Sequence, residues 1–308
     1  MLLRWALQDG YQVRLVSKPI EPDDQFPCTV RLRGTRPTIR LGIFDHRTDF
    51  PEDSKEVWPL TSPPRFASTN LLKSNLQKCI RRMERTKGLL TAQRWLTSDP
   101  GSFLRRWPII LVEDALVTTE FPALIWLMVA VTSHDYLLTR LDVAFILSTV
   151  YFAFSHSQME EIHKPEVIFP PFKYLKASPL GVQALWIRAA YGGMEGDRKM
   201  LAGFAAAYHE VEVPPFVYDR AYLEGRPLSK ADILDVSADF HVYPRSLDGP
   251  SGVLDIDPGD LKAAIWAHAS GITHRKSVTQ PSPREERLKA LQAETLALWT
   301  LYQKYLGK

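Results

Sequence analysis

Between residues 11 and 45 apolar and polar side chains alternate along "YQVRLVSK" (11–18), "CTVRLRG" (28–34) and "TIRLGIFD" (38–45), with β-branched residues enriched. A period of two sends successive side chains to opposite faces of a strand. The pattern therefore predicts a small antiparallel β element within residues 1–45, with "RGTRP" (33–37) as the turn between the second and third segments. The next stretch, "HRTDFPEDSKEVWPLTSPPRF", is rich in proline, serine and charge. It predicts a linker or a loop wrapped on the surface over 46–67.

From Ser68 the period becomes helical. Ser68, Thr69 and Asn70 are capping candidates, and Leu72, Leu76, Cys79, Ile80 and Met83 recur at spacings of three and four, which predicts a helix over 68–86. A second helix is expected over "LLTAQRWLTS" (89–98), stopped by "DPG". A third begins near Gly101 and meets Pro108, which should bend or break it because proline lacks the amide donor. Further helices are expected at 122–133, 136–163, 179–191, 197–209, 229–237, 258–269 and 284–306. The fold class is thus mainly α: a multi-helix bundle with a small N-terminal antiparallel β element. The helical body spans 68–270, a basic connector follows at 271–283, and residues 284–308 form an amphipathic helix with leucines at 288, 291, 298 and 301. That last helix packs back on the body or meets a protein partner or a second copy.

A chain of 308 residues with 45% hydrophobic and 24% charged residues can bury a large core and is too apolar for disorder. Cys28 and Cys79 cannot supply a disulfide framework, which favours an intracellular setting, nucleus or cytoplasm. Asp9 interrupts the N-terminal apolar run before it reaches signal-peptide length. The runs "FPALIWLMVAV" (121–131) and "VAFILSTVYFAF" (143–154) are each about a dozen residues, against the roughly 20 needed to span a bilayer, so both predict core helices and no membrane partner. A net charge of +3 is too small for a DNA-coating domain, and any nucleic-acid surface must be local.

The densest local charge is "KCIRRMERTK" (78–87), where Lys78, Arg81, Arg82, Arg85 and Lys87 face a single acid, Glu84. On one continuous helix Lys78, Arg81, Arg82 and Arg85 share a side, making a basic ridge suited to nucleic-acid phosphates. The competing expectation is an internal lattice. Arg105 and Arg106 precede the apolar "WPIILV", which delivers Glu113 and Asp114, and buried arginine forks pair well with carboxylates.

The order "KxIRR", "LxxAxxWL", "DPxxFLRR" and "IxxxEDAL" resembles the helical C-terminal region of the replication-associated recombination ATPases, relatives of the clamp loaders. The matching positions are Lys78, Ile80, Arg81, Trp95, Arg105, Arg106, Glu113 and Asp114. The ATPase core of that family needs a GxxxxGK[ST] phosphate loop, and this sequence has none. The resemblance therefore implies a helical assembly or DNA-associated module without the motor.

Other clusters have chemical potential. His156, Glu160 and His163 fall at i, i+4 and i+7, one helical face that could hold a transition metal if the helix stays unbroken to His163, just before Pro165. Asp232, Asp235, Asp239 and His241, with His268, His274 and Arg275, offer a general base or oxygen ligands. Arg188, Tyr191, Asp197 and Arg198 flank the small residues Ala189, Ala190, Gly192 and Gly193 and could line a polar groove. Nucleophile-elbow, CxxC and dinucleotide fingerprints are missing, and no cofactor is expected. The function these readings favour is a non-enzymatic nucleic-acid-associated or assembly factor, with replication or repair as its setting. A metal-dependent enzyme or a structural subunit of a larger complex is the alternative.

Overall fold

In the computed structural model, which describes residues 2–16, 28–31, 40–48, 55–156, 172–208, 216, 225–234 and 237, a small mixed sheet packs into a mainly helical body. The strands are β1 (Leu2–Gln8), β2 (Gln12–Leu15), β3 (Cys28–Arg31) and β4 (Arg40–Asp45). Their order is β2-β1-β4-β3. The β1–β2 and β3–β4 pairs are antiparallel as the alternation predicts, but β1 and β4 run parallel, in register from Leu2 opposite Arg40 to Leu7 opposite Asp45. The sheet is therefore mixed. Alternation did not reveal β1, because it is a central strand whose Leu3, Trp5, Ala6 and Leu7 are all buried. Ala6, buried on the face that also carries the partly exposed Arg4 and Gln8, blurs the period of two.

The helices are α1 (Thr69–Arg81), α2 (Arg85–Ser98), α3 (Pro100–Asp114), α4 (Phe121–Ser133), α5 (Arg140–Ser155), α6 (Phe172–Ala177), α7 (Leu180–Tyr191) and α8 (Glu195–Ala207). Their starts follow sequence chemistry. The Ser68 hydroxyl accepts from the Leu71 amide. Asp99 serves two helices: its amide closes α2 on the Trp95 carbonyl, and its carboxylate caps α3 at the Ser102 amide. Thr139 and Asp142 form a reciprocal capping box that starts α5 four residues later than the expected 136.

Two breaks differ from expectation. The helix predicted over 68–86 stops at Arg81. The Met83 amide bonds the Ile80 carbonyl and the Glu84 amide bonds the Cys79 carbonyl, a Schellman closure with Met83 at φ 60°. No glycine marks it, so periodicity alone ran through. Conversely, α3 continues through Pro108. A proline ring weakens the bonding of carbonyls one turn back. Here the Arg188 guanidinium of α7 donates to the Arg105 carbonyl, with its Nε at 3.2 Å and its Nη2 at 2.5 Å. Where a helix is predicted at 229–237, the described residues include a three-residue 3-10 turn, Lys230–Asp232. The predictions at 258–269, 271–283 and 284–308 lie outside the described residues.

One core joins sheet and helices. Every residue of α4 from Phe121 to Ala130 is buried, which places this helix between the sheet, α3 and α7. The Trp126 indole donates to the Phe44 carbonyl at 3.1 Å, and the Trp5 indole to Gln183 Oε1 at 3.2 Å. Asp142 adds a buried polar joint, accepting from the Tyr11 hydroxyl and Arg47 Nη1, each at 2.7 Å, and from the Tyr136 hydroxyl at 2.8 Å. Burial and the neighbouring Asp142 push both phenols above their usual range, so they stay protonated donors. Among the described residues no helix is long and apolar enough to cross a membrane. The proline-rich stretch runs along the body: the Trp58 indole meets Thr97 Oγ1 at 3.0 Å and the Trp58 amide meets the Leu138 carbonyl at 2.8 Å.

Candidate functional site

One arginine from each basic pair of the α1–α3 segment, Arg81 and Arg106, meets the acidic pair, while the Arg105 side chain is exposed. Gln77 and Arg81 stand one turn apart on α1, facing Arg106, Glu113 and Asp114 of α3. Arg81 Nε lies 3.0 Å from Asp114 Oδ1, and its Nη2 lies 3.0 Å from Glu113 Oε1. Gln77 Nε2 donates to Glu113 at 2.9 Å and to Asp114 at 2.8 Å. The Gln77 carbonyl oxygen accepts from Arg106 Nη2 at 3.2 Å. Arg106 also reaches Glu113 and, on α8, Asp197, at 3.3 Å each. Asp114 is fully buried and the Arg81 side chain is only 7% exposed. At that depth broken pairing leaves a charge without solvent, so the lattice fixes the register of α1, α3 and α8.

This arrangement divides the cations expected to form one ridge. Lys78 and Arg81 turn inward, with Lys78 Nζ 2.8 Å from Ser74 Oγ. Arg82 sits half-buried at the end of α1, and burial lowers its pKa. Arg85 and Lys87 belong to the next helix. The Arg85 guanidinium is exposed, 4.6 Å from the Tyr151 ring centre, and donates to the Tyr151 hydroxyl at 3.0 Å. Lys87 Nζ is 3.9 Å from Glu84 Oε2, a loose pair with both side chains substantially exposed. The single stripe does not form, because the Met83 closure rotates the chain between α1 and α2.

What remains at the surface is the start of α2. Arg85 and Lys87 occupy its first turn, that turn carries no acidic residue, and the Glu84 side chain makes no capping hydrogen bond. The positive end of the helix dipole thus lies beside exposed Arg85 and partly exposed Lys87.

The other clusters resolve differently. His156 follows the last residue of α5, stacks on Phe152 with ring centres 3.9 Å apart, and holds its Nδ1 3.2 Å from the Phe152 carbonyl. Glu160 and His163 lie outside the described residues. Among the described residues no cluster of three or more His, Cys, Asp or Glu is placed to hold a metal. Arg188, Tyr191, Asp197 and Arg198 are each engaged in structural bonds, Arg198 Nε with the Ala189 carbonyl at 3.2 Å. Arg188 bonds the Arg105 and Gly192 carbonyls, and burial brings its pKa down to about 10. Tyr191 meets Thr132 and Ser133, while Asp197 belongs to the lattice. Of the Asp/His set only Asp232 is described. It takes two bonds from Arg226, at 2.5 and 2.7 Å, and one from the Ser229 hydroxyl at 2.6 Å.

Sequence reasoning missed Asn75. It is fully buried on α1 and clamps residues 232, 234 and 237: its Nδ2 donates to the Asp232 carbonyl at 3.1 Å, and its Oδ1 accepts from the Leu234 amide at 2.8 Å and from the Ser237 hydroxyl at 2.9 Å. An asparagine on the apolar face of a predicted helix was the available signal, since a buried amide must find partners for both ends.

Fold and site together define a mainly helical protein with an N-terminal mixed sheet, cross-braced by a buried charge lattice. No family model, curated protein or solved structure matches the chain.

Proposed function

We propose that this protein is a non-enzymatic nucleic-acid-associated assembly factor that takes up phosphate at the start of α2. The observation that carries the reading is the first turn of a 14-residue helix, without a side-chain cap, bearing exposed Arg85 and partly exposed Lys87. Backbone amides at such a terminus point outward and favour an anion, and adjacent cations add long-range attraction without reading base identity. Arg82, next to the corner, is a third contributor. The resemblance of the 78–116 segment to the helical region of recombination ATPases supports replication or repair as the setting. Lys78 and Arg81, which the sequence also assigns to phosphate contact, serve the interior.

The test is a salt titration of polynucleotide binding by the full chain and by the Arg85→Ala/Lys87→Ala double variant. Affinity should fall similarly for different sequences, and the slope of log K against log salt should flatten by about 2. Unchanged affinity together with an unchanged slope refutes the reading.

A further inference from the structure

The 225–234 segment is held by a small network that contains a hydroxyl in an exposed stretch. Gly225, Arg226, Pro227, Lys230 and Ala231 are exposed, and Ser229 between them has an extended backbone, φ −114° and ψ 168°. The Asp232 side chain beneath is only 3% exposed. Its Oδ2 receives the Ser229 amide at 2.8 Å, the Ser229 hydroxyl at 2.6 Å and Arg226 Nη1 at 2.7 Å. The carbonyl of the same Asp232 accepts from Asn75. The network around Ser229 and the clamp that docks the segment on α1 therefore share one residue.

We propose that Ser229 is a phosphorylation site whose modification releases the 225–237 segment from α1. The inference does not depend on the proposed function. Arg226 stands three residues before the hydroxyl and is 55% exposed, a cation placed for a serine kinase that selects substrates by a preceding arginine. Ser229 Oγ attacks the terminal phosphorus of a nucleoside triphosphate held by that kinase. The new O–P bond forms as the bond to the nucleoside diphosphate breaks, and the hydroxyl proton passes to the kinase's base.

The consequence follows from donor counting. A serine hydroxyl donates a proton to Asp232; a phosphate ester near neutral pH has mostly lost its protons and brings about 1.5 to 2 negative charges beside a carboxylate. Arg226 can then serve the phosphate or Asp232 but not both in its present geometry, and repulsion drives the two anions apart. The turn at Lys230–Asp232 has three residues, too few for a helix dipole to offset that repulsion. Moving Asp232 withdraws its carbonyl from Asn75 and exposes the Leu234 amide and the Ser237 hydroxyl.

The experiment treats the full chain with an arginine-directed serine kinase and magnesium adenosine triphosphate. Fragment masses locate the phosphate, and hydrogen exchange follows the peptide over 226–237, with the α4 peptide as the fold control. The expected result is phosphate on Ser229 in the wild type and none there in Ser229→Ala. Exchange at Leu234 should rise about tenfold, the scale of one lost neutral hydrogen bond, here the one to Asn75 Oδ1. Asn75→Ala, which removes the clamp directly, sets the exchange level of a released segment. No incorporation at Ser229, or incorporation with unchanged exchange, overturns the proposal.

Discussion

Asp114→Asn isolates the charge in the lattice without changing side-chain volume. The carboxylate is fully buried and takes Arg81 Nε at 3.0 Å and Gln77 Nε2 at 2.8 Å. An asparagine retains one acceptor for Arg81 but turns a donor toward Gln77. Gln77 cannot flip to receive it, because its carbonyl oxygen already accepts from Arg106 and its amide already donates to Glu113. Breaking a buried ion pair costs about 3–5 kcal/mol. Arg81 keeps its contact with Glu113, whose side chain is 33% exposed, so solvent can share the remaining charge and the low end, about 3 kcal/mol, is expected. Urea unfolding followed by tryptophan fluorescence reads this as a lower midpoint at constant slope. Arg81→Met should cost a similar amount, and the double variant about 2 kcal/mol less than the sum of the two. Loss below about 0.5 kcal/mol for Asp114→Asn, or additive singles, would refute the lattice as the brace between α1 and α3.

Met83, 53% exposed, sits at φ 60°, where an L side chain costs about 1 kcal/mol, so Met83→Gly should stabilise the protein by roughly that amount in the same urea assay; a destabilised variant counts against the Schellman closure. Burial pushes the Cys79 thiol up to about 12 from its ordinary 9.0. In a Cys28→Ala background at about pH 8, a thiol reagent should therefore label Cys79 only after unfolding, and stoichiometric labelling of native protein would disprove the burial. The same shift has a sign. The unfolded thiol loses its proton above its ordinary range while the folded one keeps it, so this contribution to stability is full below about pH 9 and declines as pH rises toward 12.

Helix content was legible because α1, α2, α4, α7 and α8 carry their burial as a repeat or as an unbroken apolar run. What escaped involved contacts between distant parts of the chain. β1 hid because buried Ala6 shares a face with Arg4 and Gln8 and blurs the period of two, and α3 runs through Pro108 with Arg188, eighty residues on, bonded to the Arg105 carbonyl. The end of α1 hid because methionine occupies a position that usually announces itself as glycine. Arg106 and the Glu113-Asp114 pair were legible as lattice material, yet the Arg105 side chain is exposed, and the third acid, Asp197, comes from α8, which spacing cannot foresee.

The Met83 closure also fixes how strongly the 78–87 stretch can act on a polyanion. Read as one helix, its five cations against Glu84 give a local charge of +4. With Lys78 and Arg81 turned inward, Arg82, Arg85 and Lys87 against Glu84 leave +2. Since each neutralised phosphate contributes about −0.9 to the slope of log K against log salt, the corner should give a slope near −2, where a full ridge would give one near −4. A measured slope near −4 that Arg81→Met lowers would show Arg81 leaving the lattice to meet phosphate. A slope near −2 that Arg81→Met leaves unchanged, while stability falls, fits a guanidinium committed to Asp114 and Glu113. Slope and midpoint together thus distinguish a cation that binds from one that braces.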